Sequence, residues 1–333
     1  MKLGLPQFTY SKGLHDLGNG CYAWLQPDGS WGLSNAGLIT DGSEAMLVDT
    51  LYDLNLTRDM LQAMKRVIPN EIGQIATVVN THSNGDHCNG NILVNGAEVV
   101  ATAATAASFA YESPQMMDQL LRDSEKLGQV GRYFKQCFGK FEFSGIERKP
   151  PTTLFEGRLK RAVGKKQIEL IEVGPAHTAG DTIIHVIDTG IIFAGDILFI
   201  EGHPLMWAGP VANCIKACEI MLELEPKIVV PGHGPITDAR GVIAVKEYFQ
   251  YVASEARKHF DAGDDVLEAA KQMLAVGPYS NWNDAERMAA NVAMIYREFR
   301  QEKTPPNMLE LFGLMAQLSD LSNTKRTVLN EAR

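Results

Sequence analysis

The chain is short of positive charge. Its 31 lysines and arginines are outnumbered by 40 aspartates and glutamates, a net charge of −9 over 333 residues. Nonspecific nucleic-acid binding draws on clustered Lys and Arg, so that partner class is not expected. The basic pairs Lys160-Arg161 and Lys165-Lys166 read as solvated surface. Long apolar runs are missing too. No stretch of about 18 apolar residues suggests a transmembrane helix. The first residues, MKLGLPQFTYSKG, lack the apolar centre of a secretory signal. A cytoplasmic protein without a membrane partner is expected. Cysteine is sparse and odd in number, at Cys21, Cys88, Cys137, Cys214 and Cys218, which does not resemble a disulfide framework. Cys214 and Cys218 share a face of a predicted helix and read as small core residues. Cys88 reads as packing. With 45% hydrophobic and 21% charged residues, the composition fits a globular protein with a large core.

Histidine is also scarce, eight in all, and four of the eight sit in similar places. The β-rich run Ile75 to Val79 leads into Thr81-His82-Ser83-Asn84-Gly85-Asp86-His87. Ile168 to Val173 leads through Gly174-Pro175-Ala176 to His177. Ile191 to Ala194 leads through Gly195 to Asp196, and Ile228 to Val230 through Pro231-Gly232 to His233. Each reads as a strand opening into a turn. Small residues beside a ligand let the backbone bend and approach an ion. Imidazole nitrogen and carboxylate oxygen suit zinc or a similar divalent ion.

These segments resemble the metallo-β-lactamase-fold hydrolase superfamily. Its H-x-H-x-D-H motif, following His, bridging Asp and final Gly-His-Gly align with His82/Asp86/His87, with His177 in HTAGDT, with Asp196 in FAGD and with His233 in PGHGP. Order and context match over roughly residues 18 to 240. The resemblance implies an α/β, four-layer αββα sandwich and two metal subsites. One is His82, Asn84 and His177; the other is Asp86, His87 and His233; Asp196 is shared. The chain departs from the motif at Asn84, where the family carries His. A carboxamide oxygen is a poorer zinc ligand than imidazole. One tightly bound Zn²⁺ is therefore expected, with the second weak or absent. Alternatively Asn84 hydrogen-bonds substrate or water instead of metal.

The remaining chain gives the expected organisation: a catalytic domain over 1–241, interrupted by a helical insertion at about 102–143, then a helical extension over 242–333. Strands are predicted at Cys21 to Leu25, Ala36 to Thr40, Ala45 to Val48 and Val99-Val100. A helix is predicted over Thr57 to Val67 with Thr57 as N-cap. The insertion carries Phe109, Tyr111, Met116, Met117, Tyr133, Phe134, Phe138 and Phe141. It reads either as a helical layer on the sheet or as the roof of an apolar pocket. His203, Met206 and Trp207, just past Asp196, are candidate substrate contacts. His203 has packing as its plainer role, and Asn213 reads as a helix cap. Further helices are expected near 242–262, 264–274, 284–302 and 306–318, with a frayed polar tail from Ser322.

The resemblance implies a metal-dependent hydrolase. Zinc-activated water would attack a small, fairly apolar substrate: an activated aryl halide, lactone, ester or thioester. The H-x-N-x-D-H form is similar to the branch of hydrolytic aromatic dehalogenases. Asp86, His82 and His177 are the candidate acid–base residues. Asp181, Thr182 and Thr178 are expected to support the ligands. The partners are a small-molecule substrate and a second copy in a homodimer. An iron-dependent redox enzyme and a non-catalytic binding protein are the alternatives.

Overall fold

The computed structural model describes residues 2–68 and 75–331, the last ten of these as backbone only. Two sheets stack face to face. The first takes β1 (Gly13–Gly18), β2 (Cys21–Leu25), β3 (Ala36–Asp41), β4 (Glu44–Val48), β5 (Thr77–Val79), β6 (Glu98–Thr102) and β7 (Thr153–Phe155), in that spatial order. The second takes β8 (Arg158–Val163), β9 (Lys166–Glu172), β10 (Thr182–Val186), β11 (Ile191–Phe193) and β12 (Ile228–Val230). Both sheets begin as antiparallel meanders and turn parallel, the first from β4 onward and the second at β11–β12.

A parallel step needs a crossover, and the helices supply it. The helix α1 (Leu54–Met64) joins β4 to β5. The short α2 (Gly85–Cys88) lies between β5 and β6. The segment expected as an insertion is the crossover from β6 to β7, built from α3 (Ala103–Ser108), α4 (Pro114–Arg122) and α5 (Gly128–Phe138). Next, α6 (Val211–Glu223) joins β11 to β12. The chain ends in α7 (Ala239–Ala262), α8 (Val266–Val276), α9 (Arg287–Phe299) and α10 (Met308–Glu331).

Strand alternation sorts the apolar residues into layers. Between the sheets, Leu25, Ile39, Met46 and Val79 meet Leu170, Ile184, Phe193 and Val230. Gly37 belongs here for a steric reason. A Cβ on it would lie 2.2 Å from the Phe193 ring, so only glycine lets the ring cross the interface. The outer face of the first sheet, with Leu38, Leu47 and Val78, packs on Met60 and Met64 of α1. The outer face of the second, with Ile171, Ile183 and Val229, packs on α6, α7, α8 and α9. Cys214 and Cys218 are buried in that cluster as small core residues. The result is the αββα sandwich with helices added at its C-terminal end.

Local chemistry shifts several predicted boundaries. The N-cap of α1 is Asp53, whose Oδ1 accepts from the Leu56 N–H. Thr57 lies inside the helix and its hydroxyl donates back to Asp53 O at 2.9 Å. Asn213 does not cap α6; its amide donates to Pro175 O at 2.8 Å, bracing the loop before His177. The edge strand β8 alternates exposed and partly buried residues and carries Lys160 and Arg161. Charge on an open edge discourages pairing with another chain. The polar tail is helical to Glu331, and Ala332 and Arg333 lie outside the described residues.

His203 is the clearest correction. It was a candidate for the substrate pocket. It is instead fully buried under the C-terminal helices, with Nδ1 on the Tyr248 hydroxyl and Nε2 on Tyr279 O, both at 3.1 Å. Both ring nitrogens are thus used by the fold. Burial pushes its pKa down to about 4. An unfolded histidine titrates near 6.5, so below that pH the unfolded chain takes up a proton the folded chain refuses. His203 therefore contributes stability above pH 6.5 that is lost between about pH 6.5 and 4. The full loss is about 3 kcal/mol by linkage. Urea unfolding of wild type and His203→Gln across this range should show a shallower pH slope in the variant. Parallel slopes would contradict the buried neutral ring.

Candidate metal centre

The strand ends converge along one rim of the sandwich. The loop after β5 carries His82, Asn84, Asp86 and His87. The β9–β10 loop carries His177, the turn after β11 carries Asp196, and the turn after β12 carries His233. Glycines make the approach possible. A Cβ on Gly232 would lie 1.9 Å from Asp196 Oδ1, and one on Gly195 would lie 2.7 Å from the Thr81 side chain. Gly195 also has φ 52°, a conformation that costs other residues energy.

All four imidazoles are oriented in the same way. Each Nδ1 faces an acceptor: Thr81 Oγ1 for His82 at 3.0 Å, Asp49 Oδ2 for His87 at 2.8 Å, Leu205 O for His177 at 2.6 Å and Gly29 O for His233 at 3.0 Å. With a proton on Nδ1, a neutral ring aims its Nε2 lone pair inward. These nitrogens surround Asp196. Its Oδ1 lies 3.0 Å from His87 Nε2, and its Oδ2 lies 3.4 Å from both His177 and His233 and 3.9 Å from His82. Asp86 Oδ2 lies 3.3 Å from His233 Nε2 and 3.8 Å from His87 Nε2. Two ligand triads result, His82/His177/Asp196 and Asp86/His87/His233.

These residues fit a metal. His82 Nε2, His87 Nε2 and Asp196 Oδ1 are buried without a hydrogen-bond partner. Such orphans are costly unless something binds them. His87 Nε2 and Asp196 Oδ1 lie 3.0 Å apart, a pair that a metal ion or a proton on the ring would join. The electrostatics agree. Burial opposes ionisation of Asp196, but the histidines, His233 first, outweigh it and hold its pKa well below the carboxylate range. Burial likewise opposes a proton on His87, but Asp196, Asp86 and Asp49 raise its pKa well above the usual value. His82 goes the other way, depressed by burial and by His87.

A further set of residues holds the ligands. Asp49, at the end of β4, accepts from the Thr81 N–H and hydroxyl, both at 2.7 Å, and from His87 Nδ1. Thr81 in turn supports His82. Asn35 donates to Pro231 O at 3.0 Å and Gly234 O at 2.9 Å, which clamps the His233 turn. Asp181 accepts from the N–H and hydroxyl of Thr178, which shapes the His177 loop. The Thr182 N–H donates to Thr81 O at 2.8 Å and joins the two loops. Asp181, Thr178 and Thr182 were expected in this role. Asp49 and Asn35 were not assigned one. The sequence signal for Asp49 was its place directly after a strand.

Asn84 reaches the centre: its Oδ1 lies 2.9 Å from His177 Nε2. Its Nδ2 donates to Glu112 Oε2 at 3.2 Å, and Glu112 had no predicted role. Trp207 and Met206 separate. Met206 is buried among the α6–α9 helices, away from any pocket role. Trp207 stacks on Phe312 at 6.0 Å and neighbours Trp31 at 6.3 Å. That places it in an aromatic cluster with Tyr52, Met117, Tyr133, Phe134, Phe138, Phe141 and Phe199. Phe199 lies flat on the His233 ring at 4.8 Å. The crossover helices α4 and α5 contribute Met117, Tyr133, Phe134 and Phe138 to this cluster, which meets the His233 ring through Phe199, while Tyr111 and Met116 are exposed. The extension helices join the same cluster. Arg287 of α9 lies over the Trp31 and Phe199 rings at 4.6 and 5.0 Å. Cys88 packs behind the motif against Arg148.

A four-layer sandwich with His and Asp triads at its rim defines a metal-binding fold of the hydrolase type. A sequence profile of the metallo-beta-lactamase superfamily matches residues 29–233, and the chain belongs to that superfamily. Comparison with curated proteins gives no match. Among solved structures, the inverting sec-alkylsulfatase Pisa1 from Pseudomonas sp. is similar over 88% of this chain, with TM-score 0.66 and 14% identity. The chain spans 51% of that enzyme's length. A metallo-beta-lactamase from Pontibacter korlensis matches over 72% of this chain and 99% of its own, with TM-score 0.53 and 18% identity. The DIM-1 metallo-beta-lactamase matches over 73% and 99%, with TM-score 0.51 and 17% identity. At these identities the likeness concerns the fold. Among the described residues no helix is long and apolar enough to cross a membrane.

Asp49 gives a direct test of how the ligands are supported. In Asp49→Asn the amide cannot accept from both Thr81 and His87 as a carboxylate does. Zinc affinity, read by competition with a chromophoric chelator, should fall by about tenfold to a hundredfold. An unchanged affinity would remove Asp49 from the support of the centre.

Proposed function

We propose that this protein is a zinc-dependent hydrolase of a small, fairly apolar substrate. One observation carries the reading: four buried imidazoles, each fixed through Nδ1, turn Nε2 toward a shared carboxylate. That is a preorganised N/O ligand set suited to zinc. His87, His233 and Asp86 would hold one ion; His82, His177 and the Asn84 oxygen would hold a second, weaker one; Asp196 faces both. Bound zinc supplies Lewis acidity and makes water acidic enough to ionise near neutral pH.

The remaining steps fall to the chain's own side chains. Asp86 is more exposed than Asp196, with 12% of its side chain accessible against 5%. That suits it to exchange a proton with substrate or solvent. The rings of His82 and His177, anchored through Nδ1, keep their inward Nε2 atoms fixed, which lowers the reorganisation needed at the reacting atoms. The aromatic roof excludes water and offers flat apolar contact through Trp31, Trp207 and Phe312, consistent with aryl or alkyl groups on the substrate. Activated aryl halides, lactones, esters and thioesters are the substrate classes proposed. The fold shared with a sec-alkylsulfatase adds secondary alkyl sulfates to the panel.

Elemental analysis of freshly purified protein should give about one zinc per chain, with a second taken up only weakly. Iron in its place would favour a redox enzyme. His87→Ala and His233→Ala should each lose the tightly held ion and all measurable turnover on the substrate that responds. Full activity in either variant would sink the assignment. Asn84→His should tighten the second zinc by about tenfold or more, since imidazole outranks a carboxamide oxygen as a zinc ligand. If neither metal content nor second-ion affinity rises, the weakened subsite is wrong.

A further inference from the structure

Asn84 stands where the superfamily motif places a histidine, and its amide is not free to turn. Its Oδ1 lies 2.9 Å from His177 Nε2, while its Nδ2 donates to Glu112 Oε2 at 3.2 Å. His177 alone would favour the opposite orientation. Its Nδ1 faces Leu205 O at 2.6 Å, so a neutral ring offers Nε2 as a lone pair, and an amide N–H would satisfy it. Glu112 prevents that. A reversed amide would set its oxygen against a carboxylate oxygen.

Glu112 is itself held in place. It lies between α3 and α4, in the crossover segment. The Tyr52 hydroxyl reaches its Oε1 at 3.4 Å, and the Gly85 N–H also donates to the carboxylate. Arg148 fastens the segment to the motif loop by donating to the backbone oxygens of Phe109, Glu112 and Ser83. Its guanidinium also lies over the Phe109 ring at 4.2 Å.

We infer that Glu112 is a positioning residue that fixes the Asn84 oxygen toward His177 and thereby makes Asn84 a cation ligand of the weaker subsite. The inference rests on the centre being a metal site. Two acceptors 2.9 Å apart are stable together when positive charge lies between them, and Glu112 enforces that pairing. The superfamily ligand is an imidazole; in this chain an amide oxygen takes its place, aligned by a carboxylate from the crossover.

The test is a substitution cycle on the full chain, read as zinc affinity of the second ion against a chromophoric chelator. Glu112→Gln in the Asn84 background leaves one acceptor oxygen where the carboxylate has two, and the Tyr52 hydroxyl and Gly85 N–H compete for it with the Asn84 amide; second-ion affinity should fall by about tenfold, with the tight ion changed by less than about twofold. In an Asn84→Asp background the same substitution should act with the opposite sign. There it replaces two facing carboxylates by an amide that donates to a carboxylate, so affinity should rise. An equal effect of Glu112→Gln in both backgrounds would overturn the inference.

A second readout does not depend on metal. The Asn84 side-chain amide protons, assigned by their loss in Asn84→Asp, should be protected from exchange in wild type and measurably less protected in Glu112→Gln, whose single amide oxygen is shared with other donors. Tyr52→Phe, which removes a different donor from the same carboxylate, should leave them protected. Equal protection with and without Glu112 would also overturn the inference. If Glu112→Gln alone fails to fold, the double variant must fold; a double variant as unfolded as the single one counts against the inference. Failure of the hydrolase reading looks different: zinc binds and the cycle behaves as stated, yet no substrate is turned over.

Discussion

Burial of Asp196 among four imidazoles is the constraint around which the rest of the structure is arranged. A carboxylate with 5% of its side chain exposed cannot stay ionised without positive charge beside it. Here the charge comes from metal or from protonated rings, and the surrounding fold keeps both possibilities in register. Asp49, Thr81, Leu205 O and Gly29 O each fix one ring. The glycines at 195 and 232 let two strand ends close on the carboxylate without a steric clash. Alanine at either position would press into it or into Thr81.

The two sheets have unequal duties at this rim. The seven-stranded sheet supplies one continuous loop that carries four of the polar groups. The five-stranded sheet supplies three separate turns, one polar group each. The inter-sheet core, with Phe193 seated on Gly37, fixes the distance between them. Packing far from the metal thus sets the spacing of its ligands, because tightly packed cores do not deform continuously.

An aromatic cluster and the partner of a candidate ligand share one segment of chain. The crossover from β6 to β7 brings aromatic rings to this cluster and also carries Glu112, which aligns Asn84. The C-terminal helices join the same cluster. Glu286 accepts from Trp31 Nε1 at 3.4 Å and from the Tyr133 hydroxyl at 3.0 Å, and Arg287 covers Trp31 and Phe199. A segment that reads in sequence only as helix therefore reaches the aromatic cluster beside the candidate metal centre.

The candidate ligand set was legible in the sequence because metal chemistry admits few residue types and strand ends present them in recognisable turns. His82, Asp86, His87, His177, Asp196 and His233 all lie where those turns placed them. Alternating strands and helices pointed to a layered α/β domain, whereas the four-layer αββα sandwich came from the family resemblance, because periodicity alone does not give it. Long-range partners were not legible. His203 looked like a pocket residue from its nearness to Asp196 in the chain, but Tyr248 and Tyr279 O, more than forty residues away, decide its place. Asp49 had only its place directly after a strand as a signal, and Glu112 and Arg287 had none, since an acid or a base is ordinary until its partner is known. Sequence by itself determined which atoms can bind an ion. Only the tertiary structure decided how each is oriented and what shares its pocket, because hydrogen bonds across strand ends and helices form between residues that the chain order keeps apart.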